Sequence, residues 1–199
     1  NARRIGAVNT VVVQEDGSLH GSNTDAFGFL ENLKNHVPNW QASAGPAVVL
    51  GAGGAARAIL VALQENGAPE IKLLNRTKSR SEELAIELGG GIKVYDWESR
   101  ADVISDAATL VNTTSLGMKG QSPLEMDLAK LPETALVNDI VYTPLETDLL
   151  KNAKRRGNPA VDGLGMLLHQ ARPGFAAWFG MEPEVTDALR DHVLKAMGS

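Results

Sequence analysis

The chain contains 199 residues, of which 43% are hydrophobic and 22% are charged, values that are ordinary for a globular protein. Its net charge of −5 argues against a general nucleic-acid binder, because affinity for a phosphate backbone comes from clustered lysine and arginine. The lack of cysteine excludes disulfides, thiolate metal sites and cysteine nucleophiles, and no apolar run reaches the roughly 20 residues that a membrane helix requires.

The first residues of the chain bear on its origin and location. No signal peptide is present, so we expect a cytoplasmic protein. The sequence begins at Asn1 without an initiator Met and enters an apparent strand almost at once. This beginning indicates a chain cut from a longer protein.

A hairpin and one helix are predicted next. Residues 5–13 form a β-rich run, residues 15–18 contain the Asp-Gly pair of a turn, and residues 19–21 return. Asn23 or Thr24 then caps a helix with Asp25 in its first turn. The apolar stripe of this helix consists of Phe29, Leu30 and Leu33. Residues 36–46, with two prolines and small polar residues, are predicted to be a linker.

From Ala47 onward, short apolar runs alternate with helical patterns. The predicted strands are 47–50, 70–74, 92–94, 109–115 and 134–142, and the predicted helices are 55–67, 79–89, 147–156, 164–179 and 183–197. Repeated strand–helix units are typical of a parallel sheet with helices on both faces. The sequence therefore predicts the α/β class with a Rossmann-like, doubly wound parallel sheet.

A glycine-rich segment follows the first of these strands. Gly51, Gly53 and Gly54, with Ala52 and Ala55 between and after them, stand where a strand meets a helix. Glycines at this point let the backbone approach a pyrophosphate, which the helix N-terminus attracts. A simple tight turn is the alternative, but the flanking strand, helix and second strand favour nucleotide binding.

The end of the second strand indicates which nucleotide. An acidic residue there would hold the ribose of NAD, whereas this strand runs into NRTKSR, residues 75–80. Arg76 can form a forked pair of hydrogen bonds with the 2′-phosphate of NADP, and Thr77 and Ser79 can donate hydroxyls. The cofactor-binding set here is Asn75, Arg76, Thr77 and Arg80. A solvated basic start to the next helix is the alternative, and we expect Lys78 to be solvated.

Six motifs occur in order along the chain: GAVNT (6–10), GSNTDAFGF (21–29), GAGGAARA (51–58), NRTKSR (75–80), VNTTSLGM (111–118) and DGLGMLLHQA (162–171). Together they closely resemble the shikimate dehydrogenase family, NADP-linked enzymes of the chorismate pathway of aromatic amino acid biosynthesis. The resemblance runs from Ile5 to about Phe179. It implies reversible reduction of 3-dehydroshikimate to shikimate, in a cleft between a shikimate-binding α/β domain and a Rossmann domain.

The same resemblance implies a division of the chain. Residues 1–35 would be the remnant of the shikimate-binding domain, and residues 36–46 the linker. Residues 47–165 would form the NADP domain, and residues 166–199 helices that pack back toward the substrate domain.

The resemblance also assigns roles to single residues. Asp25 would be catalytic, acting with a lysine on the hydroxyl that becomes the ketone. The implied substrate ligands are Asn9, Asp25, Tyr142 and Gln170. The implied nicotinamide contacts are Ile140, Gly163 and Met166. These residue types suit the chemistry, because a triol carboxylate needs several polar partners to fix its orientation.

Each of these substrate residues also has a plainer interpretation. Asp25 could be only a favourable partner of the helix dipole. Gln170 taken alone could be a solvated helix residue, and Tyr142 a core aromatic. Asn9 within an apolar strand is harder to explain without function, because a buried amide needs partners. The four histidines lack metal-ligand spacing, so no metal site is expected.

Two features depart from the family pattern. The family's lysine lies about 20 residues before the asparagine of GAVNT, where this chain has only eight residues and no lysine. Pro173 within the predicted helix 164–179 should kink or end it. The leading hypothesis is therefore an NADP-dependent shikimate dehydrogenase whose lysine segment this chain lacks. The alternatives are a non-catalytic NADP-binding fragment and a quinate/shikimate dehydrogenase. For the oligomeric state, both a monomer and a homodimer stay open.

Overall fold

The computed structural model describes residues 2–198, which form a six-stranded parallel sheet covered by helices and a separate two-stranded hairpin. The strands are β1 Thr10–Val13, β2 Leu19–Ser22, β3 Ala47–Leu50, β4 Ile71–Leu74, β5 Ile92–Tyr95, β6 Thr109–Asn112, β7 Leu136–Asp139 and β8 Ala160–Val161. The helices are α1 Ala2–Ile5, α2 Asp25–His36, α3 Gly54–Glu65, α4 Lys78–Leu88, α5 Arg100–Val103, α6 Asp148–Arg156, α7 Leu164–Phe179 and α8 Asp187–Ala196. The predicted α/β class with a Rossmann-like sheet is confirmed.

The order of the strands in the parallel sheet determines where a binding crevice forms. The sheet reads β5-β4-β3-β6-β7-β8, and every neighbouring pair is parallel. Strands β3, β4, β6 and β7 are buried along their whole length, which explains why most of their residues are apolar. Because the chain leaves β3 toward β4 on one side and reaches β6 on the other, a crevice opens beyond the carboxyl ends of these strands.

Each face of the sheet has its own apolar core. Val49 of β3 belongs to a cluster with Phe29 and Leu33 of α2, both fully buried. Val48, its neighbour along the strand, belongs to a second cluster with Leu149 of α6. Successive strand residues point to opposite faces, so the two clusters lie on opposite sides of the sheet. Helix α2 is thus part of the same core as the parallel sheet.

Close packing of α2 against α7 depends on glycine. A side chain at Gly28 would lie 2.6 Å from the carbonyl oxygen of Met166, and one at Gly165 would overlap Asn32 Oδ1. Asn32 Nδ2 in turn donates to the carbonyl oxygen of Asp162 at 2.7 Å. The two helices therefore pack closely, with Gly28 against the backbone of α7 and Gly165 against the side chain of Asn32.

The predicted strand over residues 5–13 is wrong in its first part. Helix α1 ends at Ile5, Gly6 has a φ of 75°, and pairing begins only at Thr10. Ile5 is buried and its carbonyl oxygen accepts a hydrogen bond from Arg57 Nε at 2.5 Å. This contact across the fold, which no local pattern encodes, accompanies the helical start. The hairpin itself is confirmed by the antiparallel register of β1 and β2.

The predicted linker over residues 36–46 is packed against the sheet. Trp40 lies edge-on to Phe29 with ring centroids 6.3 Å apart, and its Nε1 donates to Thr109 Oγ1 at 2.9 Å. Ala42 is buried within a short 3-10 turn. The segment therefore joins the hairpin and α2 to the sheet by fixed contacts.

Pro173 does not end α7, so that part of the prediction is wrong. The helix continues through it for the whole of the predicted range. Trp178 Nε1 donates to the carbonyl oxygen of Val11 at 3.0 Å, which holds the second half of α7 against the hairpin. Arg172 lies 5.5 Å over the ring of Phe27 and anchors the turn before the proline. These contacts compensate for the one backbone hydrogen bond that proline removes.

Within residues 2–198, none of the helices combines the length and apolar character that crossing a bilayer requires.

Candidate active site

The glycine-rich turn lies between β3 and α3, at the carboxyl edge of the sheet. Gly51 has a φ of 107°, and a side chain there would lie 2.6 Å from Thr113 Oγ1, so glycine is required. A side chain added at Gly53 or Gly54 would meet no atom of residues 2–198 within 4 Å. This open space borders the first turn of α3, whose free N–H groups and dipole favour an anion. The turn therefore fits a pyrophosphate.

The cationic segment lies next to this turn, because β4 pairs directly with β3. Asn75 Nδ2 donates to the carbonyl oxygen of Thr77 at 2.8 Å, which shapes the segment before α4 begins. Arg76 and Arg80 are exposed, and neither guanidinium has an ion pair or side-chain hydrogen bond within residues 2–198. Both arginines are thus available to an anionic group at the end of β4.

Lys78 differs from the two arginines. Its Nζ lies 2.8 Å from Asp96 Oδ1, and this hydrogen bond raises the pKa of Lys78. The expectation that Lys78 is simply solvated is therefore incomplete, because an aspartate holds its charge. The segment therefore has one cation held by an ion pair, Lys78, and two without one within residues 2–198, Arg76 and Arg80.

A cavity of about 160 Å³ brings the predicted substrate and nicotinamide residues together. Its lining consists of Asp25, Ala55, Ile140, Tyr142, Gly163, Met166, Leu167 and Gln170. All but Leu167 were singled out by the sequence. The cavity opens between the first turns of α2 and α3, helix α7 and the loop that follows β7.

Asn9 orients the carboxylate that faces this cavity. Its Nδ2 donates to Asp25 Oδ1 at 2.8 Å. Its Oδ1 accepts from the backbone N–H of Thr24 at 3.1 Å and from the Thr24 hydroxyl at 3.3 Å. Asn9 is exposed and precedes β1, so the prediction of an amide buried inside a strand is wrong. Its partners are nevertheless those of a residue that fixes Asp25.

The loops after β7 and β8 touch through their backbones. A side chain at Gly163 would overlap the carbonyl oxygen of Ile140, and the Gly163 N–H donates to the carbonyl oxygen of Val141 at 3.3 Å. Met166, in the first turn of α7, is buried against the same cavity. Tyr142 is partly exposed at the cavity edge, so the interpretation as a core aromatic is wrong.

The two ends of the crevice are separated in the way that a dinucleotide requires. Arg76 follows β4, while Ile140 follows β7, and these strands stand on opposite sides of β3 and β6. Three strand spacings separate β4 from β7, or about 14 Å. Arg76, Thr77 and Arg80 therefore do not join the 160 Å³ cavity, which lies at the other end of the glycine turn.

A buried polar network beneath the site was missed in the sequence. Asp139, the last residue of β7, accepts from Asn112 Nδ2 at 2.9 Å, from the Val141 N–H at 3.0 Å and from Thr147 Oγ1 at 2.7 Å. Burial raises the pKa of Asp139 to about 6, while these hydrogen bonds act to lower it. Polar residues that close two apolar strands, in TLVN and LVND, were the available signal.

A second cleft, of about 310 Å³, was missed as well. It begins at Asn9 and Gln170 and continues along α7 over apolar side chains that include Phe175 and Trp178. The half-buried Gln170 borders both cavities, so its interpretation as a freely solvated helix residue is wrong.

Comparison with known proteins agrees with this geometry. The sequence model of a family described as shikimate / quinate 5-dehydrogenase matches residues 33–142. The NADP(+) shikimate dehydrogenase of Paramagnetospirillum magneticum is 62% identical over 193 residues, which cover 97% of this chain and 70% of that protein. The chain belongs to the shikimate/quinate 5-dehydrogenase family.

Solved structures of family members have the same fold. Quinate dehydrogenase from Corynebacterium glutamicum in complex with NAD aligns with a TM-score of 0.89 at 34% identity, covering 98% of this chain and 70% of that one. Shikimate 5-dehydrogenase from Thermus thermophilus in complex with NADP(H) and shikimate aligns with a TM-score of 0.78 at 42% identity, covering 92% and 66%. The predicted membership of the shikimate dehydrogenase family is confirmed.

Proposed function

We propose that this chain carries the coenzyme pocket and the substrate-facing carboxylate of an NADP-dependent shikimate dehydrogenase. The enzyme reversibly reduces 3-dehydroshikimate to shikimate, a step of the chorismate pathway. The observation that carries this proposal is the shared cavity: Asp25 and Gln170 face Ala55 of the glycine turn and Gly163 across about 160 Å³. Substrate and coenzyme groups are thereby supported at one place.

In this proposal the division of the chain follows the cavity. Residues 1–35 and 166–199 contribute the substrate side, and residues 47–165 contribute the coenzyme side. The packed segment 36–46 connects them. A cytoplasmic location, and a monomeric or homodimeric state, stay predictions.

The coenzyme is proposed to lie across the carboxyl edge of the sheet. Its pyrophosphate would occupy the open space beside Gly53 and Gly54, and its 2′-phosphate would lie against Arg76 and Arg80. When bound, NADPH supplies the hydride for carbonyl reduction. The nicotinamide would rest among Ile140, Gly163 and Met166, where the lining is largely apolar.

Asp25 is proposed to act at the oxygen of the reacting carbon. Asn9 engages Asp25 Oδ1, while Oδ2 has no hydrogen-bond partner within residues 2–198 and is available to a substrate hydroxyl. Tyr142 and Gln170 would hold further oxygens of the triol and fix which face of the ring meets the coenzyme. Such positioning has large effects, since misplacement by about 1 Å can cost on the order of a hundredfold in rate.

Proton transfer is the incomplete part of this site. The resemblance implies a lysine that works with the aspartate, and in the described part of the chain no lysine lines the cavity. Arginine cannot replace it, because its guanidinium stays protonated. We therefore expect residues 1–199 to bind NADPH well and to turn over substrate poorly.

Two measurements test the proposal. NADPH binding to this chain should be detectable by fluorescence titration. NADPH oxidation with 3-dehydroshikimate should be slow for this chain and fast for a longer version that includes the lysine segment. Absence of NADPH binding would refute the proposal, and equal turnover by both versions would refute the role of the lysine.

A quinate dehydrogenase is the second candidate, supported by the alignment with the NAD-bound quinate enzyme of Corynebacterium glutamicum. The free guanidinium groups of Arg76 and Arg80 favour the phosphorylated coenzyme instead. Kinetics of the longer version with shikimate and quinate, each with NADP and NAD, would decide between the two.

A further inference from the structure

We propose that Asp139 is a positioning residue for the nicotinamide half of the coenzyme. It acts through the loop that carries Ile140 and Tyr142, and it makes no contact with the coenzyme itself. This inference rests on the proposed function, since it assumes that the cavity lined by these two residues receives the nicotinamide.

The bonds of Asp139 define the shape of that loop. Oδ1 accepts from the N–H of Val141, two residues further along, and this hydrogen bond closes a tight turn with Ile140 at its centre. Oδ2 accepts from the hydroxyl of Thr147, the residue that caps α6. The loop that leaves β7 is therefore held at its beginning and near its end by one side chain.

The same carboxylate connects this loop to its neighbour on the sheet. Asn112 Nδ2 donates to Asp139 Oδ1, and Asn112 Oδ1 accepts from the N–H and the hydroxyl of Thr114. Thr113, between these two residues, lies directly against Gly51 of the glycine turn. A chain of contacts thus links the carboxyl ends of β3, β6 and β7.

The burial of the Asp139 carboxylate is unusual and makes its hydrogen bonds difficult to replace. Asp139 is fully buried, with no cation among its hydrogen-bond partners, although a buried carboxylate is costly without one. An apolar side chain would fill the same volume but would accept none of the three hydrogen bonds. A polar side chain that bonds all three groups is therefore required for the loop geometry, and that loop forms one wall of the nicotinamide cavity.

The test compares two ligands that differ in whether they reach this wall. NADPH occupies the whole crevice, whereas adenosine 2′,5′-bisphosphate binds only near Arg76 and the glycine turn. Asp139→Ala should weaken NADPH binding about tenfold or more, because several bonds that fix the loop are lost together. Its affinity for the bisphosphate should change by less than about twofold.

Two further variants separate positioning from general destabilisation. Asn158→Ala removes another buried polar side chain, which lies at the amino ends of β7 and β8, away from the coenzyme crevice. Its Nδ2 donates to the carbonyl oxygens of Pro132, Glu133 and Ala135. This variant should lower stability and leave the affinities for both ligands unchanged. Thr147→Val removes one hydrogen bond to Asp139 and the cap that Thr147 Oγ1 gives to the Leu150 N–H of α6. It should weaken NADPH binding about threefold to fivefold, also without affecting the bisphosphate. This milder variant provides the test if Asp139→Ala does not fold.

The outcomes distinguish the inference from the proposed function. A native chain that fails to bind NADPH contradicts the proposed function. A native chain that binds NADPH, with variants of Asp139 and Thr147 that bind both ligands normally or lose both in parallel, contradicts the positioning role alone.

Discussion

The side-chain amide of Asn9 donates to the carboxylate of Asp25 at 2.8 Å, across 16 residues of sequence. One residue precedes the hairpin and the other begins α2, so the hydrogen bond closes the segment between them. Thr24 completes the arrangement by donating to Asn9 Oδ1 through both its backbone and its hydroxyl. The carboxylate is thus oriented before any substrate arrives.

Replacement of this carboxylate should separate chemistry from coenzyme binding. In the longer version of the enzyme, Asp25→Asn should lower kcat at least about a hundredfold, because a general acid–base group contributes on this scale. NADPH affinity should stay within about twofold, since the glycine turn and Arg76 are untouched. Glu83→Gln, on the exposed face of α4, is the matched control and should leave both quantities unchanged. Full activity of Asp25→Asn would exclude its catalytic role.

Coenzyme choice should depend on Arg76 and hardly at all on Lys78. Arg76→Ala removes a charge-assisted hydrogen bond to the 2′-phosphate and should weaken NADPH binding about ten- to hundredfold, with little effect on NADH. Lys78→Ala removes a cation that Asp96 already holds, so its effect on the NADPH to NADH ratio should be below about threefold. Calorimetric titration of each variant with both coenzymes measures the ratio. If the ratio is the same in Arg76→Ala as in the native chain, the arginine is only a surface charge.

Gly28 should tolerate no side chain. A methyl group there would lie 2.6 Å from the carbonyl oxygen of Met166 and 2.7 Å from Gln170 Cβ, so α2 and α7 would have to separate. We expect Gly28→Ala to lower the free energy of unfolding by about 1–3 kcal/mol, even though alanine favours helix formation. Lys34→Ala, on the exposed side of the same helix, should change it by less than about 0.5 kcal/mol. Denaturant titration gives both values, and equal stability of the two variants would contradict the close packing.

The free energy of unfolding should depend on pH because of the buried Asp139. Its pKa of about 6 in the folded chain exceeds the usual value of 3.8, so between these values the folded state binds a proton that the unfolded chain has released. The contribution of Asp139 to the free energy of unfolding therefore falls as pH rises from about 4 to about 6, by up to about 3 kcal/mol. It is fully present below about pH 4.

Asp139→Asn isolates this contribution. The amide keeps a carbonyl oxygen for Asn112 and the Val141 N–H, and its NH₂ group can donate to Thr147. The stability of the variant relative to the native chain should therefore increase as pH rises through the same window. Denaturant titrations at several pH values measure the difference, and a constant difference would show that Asp139 does not titrate there.

Much of this architecture follows from short-range patterns. The strand 47–50 and the helix 164–179 were predicted with the bounds that the structure has, because continuous burial and a long apolar period leave little choice. The coenzyme turn was equally readable, since only glycine suits the backbone at Gly51. The order of the motifs, through the family resemblance, predicted that Asp25 and Gln170 belong to one site although they lie far apart in sequence.

The errors share a different origin. The helical start at Ile5 and the continuation of α7 past Pro173 both accompany contacts with distant elements, through Arg57 and Trp178. The network at Asp139 likewise exists only because β6 and β7 are neighbours in the sheet. Local propensity cannot predict such contacts, because neither segment taken alone contains a signal for its distant partner.

The packing of α2 into the core beside the sheet has a consequence for how the protein unfolds and loses its coenzyme. Phe29 and Leu33 anchor the helix that begins at Asp25, so the acid cannot drift from the coenzyme turn by local fraying alone. On heating, amide protection along this helix and the ability to retain dinucleotide should vanish together, in one cooperative melting event. The position of Asp25 relative to the glycine turn therefore depends on the hydrophobic core and is kept only as long as that core is folded.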